Sequence, residues 1–299
     1  MNAELKKKYA NLIEIIRGYG KAAVAFSGGV DSTFLLYAAS KALGDEAVAF
    51  TARSVFVPAR EFNEADEYCA ALKVRHIVID TDVLSIPGVA DNPKDRCYIC
   101  KRALFQGFID AAKNEGISVV AEGSNVDDEG DYRPGLRAIA ELGIKSPLRE
   151  AGLTKQEIRE LSKEAGLPTW SKPSFACLAS RIPYGERITA KKLSMVEEAE
   201  QLLLDRGFKQ FRVRAHESGN ASGEGNNYGG GASDESGTCL ARIELLPDDM
   251  ERMLSPELRQ EINQKIRSIG FAYVALDLQG YRTGSLNEVL LGNFLAKRE

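Results

Sequence analysis

The feature that most constrains the fold of this chain is an alternation of short apolar runs and helical patterns through its first half. The apolar runs read AAVAF, EAVAFT, RHIVID and ISVVAEG, at residues 22–26, 46–51, 75–80 and 117–123. Between these runs, apolar residues recur at helical spacing over residues 32–44, 59–73 and 100–116. Such alternation predicts an α/β fold in which a parallel sheet has helices on both faces. Ligands bind at the carboxyl ends of parallel strands, so function is expected in the loops that follow them.

Size and composition narrow the class of protein. With 299 residues the chain is long enough for two domains, and its 44% hydrophobic and 27% charged residues are typical of a soluble globular protein. No apolar run approaches the roughly 18 residues of a membrane span, and residues 1–20 form an amphipathic helical pattern without the features of a signal peptide. We therefore expect a cytoplasmic protein with reduced thiols and no membrane partner. The net charge of -4 disfavours a nucleic-acid partner, because nucleic-acid binders are held by phosphate contacts.

The loop after the first apolar run has the composition of a phosphate-binding site. It reads AFSGGVDST and lies between a predicted strand and a predicted helix. Gly28 and Gly29 allow backbone N–H groups to approach a phosphate. Ser27, Asp31 and Ser32 place side-chain oxygens beside them, and the helix N-terminus adds its dipole. The loop lacks the lysine of a P-loop and the spacing of a dinucleotide-binding loop. It resembles the SGGxDS pyrophosphatase loop of the adenine-nucleotide α-hydrolase families, which holds the pyrophosphate of ATP while a substrate is adenylated.

A second polar stretch, EGSNVDDEGDYRPG, begins at residue 122 at the end of the fourth apolar run. Carboxylates grouped at a strand end are suitable ligands for Mg²⁺, which prefers oxygen and would bridge the phosphates of ATP. We assign Asp128 and Asp131 to such a magnesium site and Arg133 to nucleotide binding. The alternative for each of these residues is a solvated acidic turn.

The segment DRCYICKRALF places Cys97 and Cys100 close together in a chain that has five cysteines and two histidines. In a reducing compartment, a C-x-x-C pair is more often a metal or catalytic feature than a structural disulfide. Four interpretations stay open: a redox pair at a helix N-terminus, part of a zinc site, part of an iron–sulfur ligand set, or two bystander thiols. A structural zinc site normally needs four protein ligands, and neither His76 nor His216 is an obvious candidate to complete such a set, so zinc is disfavoured.

A third stretch, WSKPSFACLASRIPYGERIT at residues 170–189, contains Cys177, Ser180 and Arg181 among prolines and a glycine that prevent a continuous helix. The three stretches, followed by RVRAH and ARIE further along the chain, resemble the LarE family of sulfur transferases. The similarity covers nearly the whole chain, and the cysteine segment is far more specific than the pyrophosphatase loop.

The resemblance to the LarE family implies an enzyme that uses ATP and Mg²⁺ to adenylate a carboxylate of pyridinium-3,5-dicarboxylic acid mononucleotide. The adenylate would then become a thiocarboxylate on the way to the nickel-pincer nucleotide cofactor of lactate racemase. By motif, Cys177 matches the cysteine that, in the sacrificial branch of the family, gives up its own sulfur and is left as dehydroalanine.

The resemblance also implies roles for residues around the substrate. By motif it assigns Ser180, Arg181, Arg212 and Arg214 to the binding of nucleotide phosphate or substrate. Glu200 lies in a predicted helix whose family counterpart carries a functional glutamate, so Glu200 joins Cys177 as a catalytic candidate. The alternative for Glu200 is a solvated carboxylate on the helix surface.

The Cys97 and Cys100 pair departs from the single-cysteine form of the family. If both fold next to Cys177, three thiolates would be able to hold a [4Fe-4S] cluster with one iron left open. That iron would carry a sulfide from an external donor, so the protein would not consume its own cysteine. LarE members with three such cysteines, and cluster-bearing tRNA thiolation enzymes, are similar in this respect. Family members are oligomeric, often hexameric, so the resemblance also implies a homo-oligomer.

The sequence predicts a nucleotide-binding domain over residues 1–175 and a smaller α+β domain over residues 186–299. The last helix of the first domain, 154–165, starts with a capping-box pattern. The second domain is predicted to contain helices at 190–206 and 255–268 and strands at 209–215, 239–246 and 271–278. Residues 217–237 are rich in Gly, Ser and Asn and cannot bury a core, so we expect a flexible insertion between two strands.

Other function classes stay open at this point. A tRNA thiolase would use the same adenylation chemistry, but it needs a basic, aromatic RNA surface that the acidic balance does not favour. A non-enzymatic ATP sensor would leave the carboxylates and the Cys177 segment without a role. An amidating ligase of the asparagine or NAD synthetase type needs an ammonia source, and the sequence shows no N-terminal cysteine or fused glutaminase.

Overall fold

The computed structural model describes residues 2–128, 134–173, 176–218, 238–282 and 284–287. The chain divides into two compact units. The first consists of Met1–Val89 and Lys94–Cys177, and the second of Ala90–Pro93 and Leu178–Glu299. A short segment from the first half of the chain therefore belongs to the second unit.

The first unit alternates helices and strands. In chain order these are α1 (Ala3–Arg17), β1 (Ala22–Ala25), α2 (Val30–Leu43), β2 (Ala47–Arg53), α3 (Ala59–Leu72), β3 (Arg75–Asp80), α4 (Arg96–Asn114), β4 (Val119–Ala121), α5 (Pro134–Glu141), α6 (Pro147–Glu150) and α7 (Lys155–Glu164). Side chains fix the helix starts: Asn2 accepts a hydrogen bond from Leu5 N at 2.7 Å and caps α1. The predicted capping box of Thr154 and Glu157 is complete at the start of α7.

The strands of the first unit form a parallel sheet in the order β3-β2-β1-β4. Ala22 of β1 lies opposite Ala47 of β2 on one side and opposite Val119 of β4 on the other. The side chains of β1 and β2 are almost all apolar and buried, because helices cover both faces of these central strands.

Side chains alternate between the two faces of this sheet. Val24 and Ala49 pack in a cluster with α1, α2 and α7. Ala23, Val48 and Phe50 pack on the opposite face with α4 and α5. The sheet therefore lies between two helix layers, and the loops after its strands meet along one edge.

The predicted α/β fold with a parallel sheet is confirmed, and the main differences concern helix starts. Helix α4 begins at Arg96 rather than at Cys100, so both cysteines of the C-x-x-C pair lie inside the helix. The short helices α5 and α6 were not predicted. Each begins with a proline, which suggests a turn in the sequence but is well tolerated at the first helical position.

The second unit is smaller and has a mixed sheet. Its elements are α8 (Ala190–Asp205), β5 (Phe211–Ser218), β6 (Thr238–Leu245), α9 (Pro247–Met253), α10 (Pro256–Ile269) and β7 (Tyr273–Leu276). Strand β6 is central, antiparallel to β5 and parallel to β7. Phe211, Val213 and Ala215 of β5 are fully buried, and α8 packs against this strand. The intervening side chains of β5 point to the other face of the sheet.

The elements of the second unit follow the predicted order, with shifted ends. Strand β5 begins two residues later and ends three later than predicted, and α9 was not anticipated. Most of the predicted insertion lies outside the described residues. The longest helix in the described part of the chain, α4, has 19 residues, and no helix described there combines the length and apolarity needed to span a membrane.

Candidate functional site

The pyrophosphatase loop, residues 26–32, connects the end of β1 to the start of α2. Gly28 has a φ of 69°, a conformation that glycine adopts without strain, and Gly29 is the N-cap of α2. The hydroxyls of Ser27 and Ser32 lie 3.1 Å apart, and Ser32 Oγ donates to the Gly29 carbonyl at 3.3 Å. No described side chain caps α2, so its first N–H groups are available to an anion.

The loop after β4 approaches the start of α2 closely. A Cβ atom at Gly123 would lie 3.0 Å from Ser32 N and 3.2 Å from Asp31 Cβ, which is tighter than most Cβ contacts and would require the start of α2 to move by a few tenths of an ångström. Beside this contact, Asn125 Nδ2 donates to Asp31 Oδ1 at 3.4 Å. The two loops that the sequence assigned to one site are therefore adjacent.

Lys155, at the start of α7, is a cation of this site that sequence reasoning missed. Its Nζ forms an ion pair with Asp31, and its backbone N donates to Asp127 Oδ2 at 2.8 Å. The sequence offered only a weak signal, since Lys155 follows the capping threonine of α7 while Asp31 is 124 residues away along the chain.

The magnesium candidates are only partly within the described residues. Asp128 Oδ2 accepts a hydrogen bond from Asn125 N at 3.0 Å, and Asp128 lies in the wall of the cavity next to the loop. Asp131 and Arg133, the other two residues assigned to this stretch, lie outside the described residues. Across the ranges that are described, no group of three or more His, Cys, Asp or Glu side chains is arranged to hold a metal ion.

These loops line a cavity of about 590 Å³ in the first unit, a volume suited to a nucleotide-sized ligand. Its polar lining residues, which we call the polar wall, include Ser27, Asp31, Ser32, Asp128 and Lys155. The lining also contains four aromatic side chains, Phe26, Phe62, Phe105 and Phe108. Polar groups suit phosphates and aromatic groups suit a planar base, so the lining has the chemistry that an adenine nucleotide needs.

Lys172 connects the pyrophosphatase loop to α3 and was also missed. Its Nζ donates to the Gly28 carbonyl at 3.2 Å and to Glu61 and Glu64 at 2.6 Å each. Burial alone would lower the pKa of Lys172, but the hydrogen bonds to the two carboxylates raise it above its ordinary value. Lys172 is therefore a charged, fixed support for the backbone of the loop.

Three of the five free cysteines interact within the first unit. Cys97 and Cys100 lie in the first turns of α4, and Cys177 is exposed near the end of the unit. Burial, together with the nearby thiols of Cys177 and Cys97, raises the pKa of Cys100 to about 12, against the charge of Arg96. Burial also raises the pKa of Cys97, and Cys177 adds to that shift. The three sulfur atoms are therefore within electrostatic reach of one another.

This environment argues against two of the alternatives for the C-x-x-C pair. A thioredoxin-type redox pair needs a lowered thiol pKa, whereas burial raises the pKa of both Cys97 and Cys100. For zinc, His76 has both ring nitrogens engaged, with Asp66 at 3.1 Å and Thr51 at 2.8 Å. The interpretation of the three thiols as an iron–sulfur ligand set therefore stays a prediction.

The second unit contains a largely buried cluster of charged side chains that we call the arginine face. It consists of four arginines and two glutamates on α8, β5, β6 and the turn Leu178–Arg181: Arg181, Arg212, Arg214, Arg242, Glu200 and Glu244. Arg181 makes two hydrogen bonds with Glu200, at 2.9 and 3.0 Å, and both side chains are only 1% exposed. Arg214 makes two with Glu244, at 2.5 and 3.1 Å.

Ser180 and Arg212 complete this surface. Arg214 Nη1 donates to the Ser180 carbonyl at 2.8 Å, and Arg181 Nη1 donates to Ser180 Oγ at 2.9 Å. Arg212 lies over the ring of Tyr281, with its guanidinium carbon 5.0 Å from the ring centre. Burial and the charge of Arg181 lower the pKa of Arg212 to about 10.

Among the described residues, the arginine face brings four guanidinium groups together with two carboxylates. Guanidinium groups form charge-assisted, often bidentate hydrogen bonds with phosphate oxygens. The arginine face is therefore suited to bind an anionic group such as a phosphate.

Comparison with known proteins finds similarity over nearly the whole chain. Residues 21–92 match the family model of the queuosine biosynthesis protein QueC. An uncharacterized protein of Synechocystis sp. is 38% identical over 286 residues, covering 96% of this chain and 99% of the relative. An uncharacterized protein of Methanocaldococcus jannaschii is 26% identical over 279 residues, or 93% of this chain and 94% of the relative.

A characterised relative decides the family. The pyridinium-3,5-bisthiocarboxylic acid mononucleotide synthase of Lactiplantibacillus plantarum is 34% identical over 289 residues, which cover 96% of both chains. The chain belongs to the LarE family. Members of this family are PP-loop enzymes that depend on ATP, so this LarE protein is an ATP-dependent enzyme whose nucleotide loop is the pyrophosphatase loop described above.

In this LarE protein the sequence-assigned residues fall into two groups. Ser27, Gly28, Gly29, Asp31 and Ser32 are adjacent in the first unit, which also holds Asp128 and the three interacting cysteines. Ser180, Arg181, Glu200, Arg212 and Arg214 are in contact in the second unit. The sequence did not reveal Gly123 or Glu244, because their importance comes from contacts between segments distant along the chain.

Proposed function

We propose that this LarE protein adenylates a carboxylate of pyridinium-3,5-dicarboxylic acid mononucleotide with ATP and converts it into a thiocarboxylate. The product would serve the nickel-pincer nucleotide cofactor of lactate racemase. One observation carries the proposal: three interacting thiols lie in the same unit as a nucleotide-sized cavity built around a pyrophosphatase loop. An ATP sensor or an amidating ligase gives those thiols no role.

The adenylation step uses the polar wall of the cavity. A carboxylate oxygen of the substrate attacks the α-phosphorus of ATP, the acyl-adenylate forms and pyrophosphate leaves. The N–H groups at the start of α2 and the hydroxyls of Ser27 and Ser32 would bind the pyrophosphate, and Lys155 would compensate its charge. Asp31 and Asp128 offer oxygen ligands at the same wall, which fits Mg²⁺, and the bound ion would neutralise the phosphate charge. Asp131 and Arg133 remain assigned to this site from the sequence.

The arginine face would hold the phosphate of the mononucleotide substrate. Arg212 and Arg214 are more than nine-tenths buried, and their side chains lie on the same face of β5. A phosphate monoester carries close to two negative charges at neutral pH and accepts several guanidinium hydrogen bonds. Glu200 then acts through Arg181, which it fixes in place, because both of its carboxylate oxygens already accept hydrogen bonds from Arg181.

For the sulfur source, we propose that Cys97, Cys100 and Cys177 hold a [4Fe-4S] cluster. The donor set fits such a group, since burial raises the pKa of Cys97 and Cys100, with Cys177 nearby, and cationic iron would stabilise the three sulfur atoms as thiolates. When bound, the cluster would supply an open iron position for a sulfide from an external donor. The contribution of the chain would be to keep the three sulfur atoms close together in the unit that contains the nucleotide cavity.

The alternative is sacrificial transfer, and the exposure of Cys177 favours it. In this route the Cys177 thiolate displaces AMP from the acyl-adenylate and forms a thioester. Loss of the Cys177 α-proton with cleavage of the Cβ–S bond then releases the thiocarboxylate and leaves dehydroalanine. Cys97 and Cys100 have no part in that chemistry.

Metal analysis and mass spectrometry separate the two routes. We expect anaerobically purified protein to contain iron and sulfide at about four each per chain, with the broad visible absorption of a cluster. The mass of the chain should be unchanged after turnover. Colourless protein whose chain becomes lighter by the mass of hydrogen sulfide, with the loss at Cys177, would establish the sacrificial route instead.

Variants test the reaction itself. Cys177→Ala should keep pyrophosphate release from ATP and lose thiocarboxylate formation in either route. Cys239→Ala is the matched control, because Cys239 is a buried cysteine of the second unit outside the proposed site. Full thiocarboxylate formation by Cys177→Ala would refute both sulfur-transfer schemes. The family resemblance further leads us to propose a homo-oligomer, hexameric as in other LarE proteins, which sedimentation would test.

A further inference from the structure

His216 continues the row of basic side chains on β5. Residues 212, 214 and 216 alternate with buried apolar residues, so Arg212, Arg214 and His216 lie on the same face of the sheet. Arg242 of β6 is directly opposite Arg214 in the antiparallel register. The ring of His216 therefore lies at the end of the arginine face, next to Arg214 and Arg242.

The ring of His216 has an unused hydrogen-bonding atom. Its Nε2 is buried and has no hydrogen-bond partner among the described residues. The other histidine of the chain, His76, has partners for both of its ring nitrogens. A buried ring nitrogen without a partner is costly, and such an atom in a native structure calls for a ligand, an ion or a water.

Burial and the neighbouring charges favour the neutral form of His216 in the free protein. Burial lowers the pKa of His216, and the charges of Arg242 and Arg214 lower it further. The opposing group is the Glu244 carboxylate, and each of its oxygens already accepts from Arg214. A dianion bound beside Arg214 and Arg242 would offset their positive charges and would thereby favour the protonated form of the imidazole.

We propose that His216 is a proton-linked contact of the arginine face: when a dianionic oxyanion such as a phosphate monoester binds, the imidazole takes up a proton and Nε2–H donates a hydrogen bond to the anion. The inference deepens the proposed function and rests on the anion-binding role of the arginine face, but not on sulfur transfer. It adds His216, which has no role in the sequence assignments, to the residues that contact the anion, and it predicts that His216 is protonated in the complex.

The sign of the pH dependence follows from linkage. A bound dianion offsets the charges of Arg214 and Arg242, so the pKa of His216 is higher in the complex than in the free protein. The complex then binds more protons than the free protein in the pH range between the two pKa values. Affinity for the anion should rise as the pH falls through the pKa of the complex, and it should level off below the pKa of the free protein.

Sulfate is the appropriate probe, because it remains dianionic over the pH range in which histidine titrates. The ring Cε1–H signals of His76 and His216 can be followed by NMR, and their loss in His76→Gln and His216→Gln assigns them. We expect saturating sulfate to raise the pKa of His216 by about one unit, which corresponds to about tenfold tighter binding at the acidic limit. The pKa of His76 should not change.

Variants separate a contact from a purely structural role. His216→Gln should bind sulfate with an affinity that no longer rises at acidic pH, whereas a structural defect would weaken binding equally at every pH. Arg214→Gln should lose both sulfate binding and the response of His216. Arg267→Gln, an exposed arginine of the same unit, should behave like the parent protein.

The outcomes distinguish the inference from the proposed function. Sulfate binding to the arginine face with an unchanged pKa of His216 overturns the inference and leaves the anion site intact. Absence of sulfate binding overturns both the phosphate-binding role of the arginine face and the inference. Neither result bears on ATP-dependent adenylation in the first unit.

Discussion

At the scale of single residues, Arg181 and Glu200 connect separate segments of the second unit. Arg181 ends the turn after the cysteine segment, and Glu200 lies on α8. Glu200 Oε1 also accepts a hydrogen bond from Val213 N of β5 at 3.1 Å. One carboxylate therefore holds a turn, a helix and a strand in register, and it does so without contact with solvent.

We expect Glu200→Ala to lower the free energy of unfolding by about 3–5 kcal/mol, because it removes the carboxylate that pairs with the buried Arg181 guanidinium. Chemical denaturation measures the change. Glu198→Ala on the same helix is the control, since Glu198 is exposed and surface substitutions stay within about 0.5 kcal/mol. Equal stability of the two variants would contradict the role of the pair.

Thiol reactivity tests the environment of the three cysteines. In metal-free protein at pH 7.5, iodoacetamide should label Cys177 at least about tenfold faster than Cys97 or Cys100, because it reacts with thiolates. Cys177 is exposed, whereas burial raises the pKa of the other two. Labelling of Cys100 should accelerate as the pH rises toward about 12. Peptide mass spectrometry gives the rates, and fast labelling of Cys100 at pH 7.5 would contradict its buried position.

At the scale of elements, the site depends on how closely the loop after β4 approaches α2. The backbone at Gly123 lies against Ser32 N and Asp31. This contact determines where the N–H groups of α2 point relative to the polar wall of the cavity. The strand–helix alternation predicts the order of the elements. The close approach of the loop after β4 to the start of α2 depends instead on one residue, Gly123, which has no Cβ atom.

Gly123→Ala should therefore weaken ATP binding by about tenfold or more, since overpacking of this kind costs about 1–3 kcal/mol and displaces the start of α2. Gly107→Ala is the matched control. A Cβ atom at Gly107, inside α4, meets nothing within 4 Å, so ATP binding should be unchanged and α4 slightly stabilised. Calorimetry measures the ATP affinity of both variants. Unchanged affinity in Gly123→Ala would contradict the close approach of the loop after β4 to α2.

Elements and motifs were predictable because they depend on local patterns. The pyrophosphatase loop, the parallel strands and the capping box of Thr154 and Glu157 all follow from spacing over a few residues. The partners of the Lys155 and Lys172 side-chain ammonium groups could not be predicted in this way, because they lie more than 100 residues away along the chain. Likewise, the helical pattern around Cys97 was visible, but the burial that raises its pKa depends on tertiary packing.

At the scale of the whole molecule, the two units should respond to different ligands. Hydrogen–deuterium exchange with a non-hydrolysable ATP analogue should slow exchange mainly at residues 26–33 and 122–128 of the first unit. Inorganic phosphate should slow it mainly at residues 178–181 and 212–216 of the second. Each ligand is the control for the other. Protection of the second unit alone by the ATP analogue would contradict the assignment of the cavity.

The short segment Ala90–Pro93 has a consequence for how this protein is made. Its partners lie far downstream: Ile188 N donates to the Ala90 carbonyl at 2.8 Å, and Asn92 Nδ2 donates to the Pro183 carbonyl at 2.7 Å, across 91 residues. At roughly 5–20 residues per second, a ribosome needs several seconds to supply those partners. During translation, the start of the cysteine-bearing helix α4 is therefore attached to a segment that has nothing yet to bind.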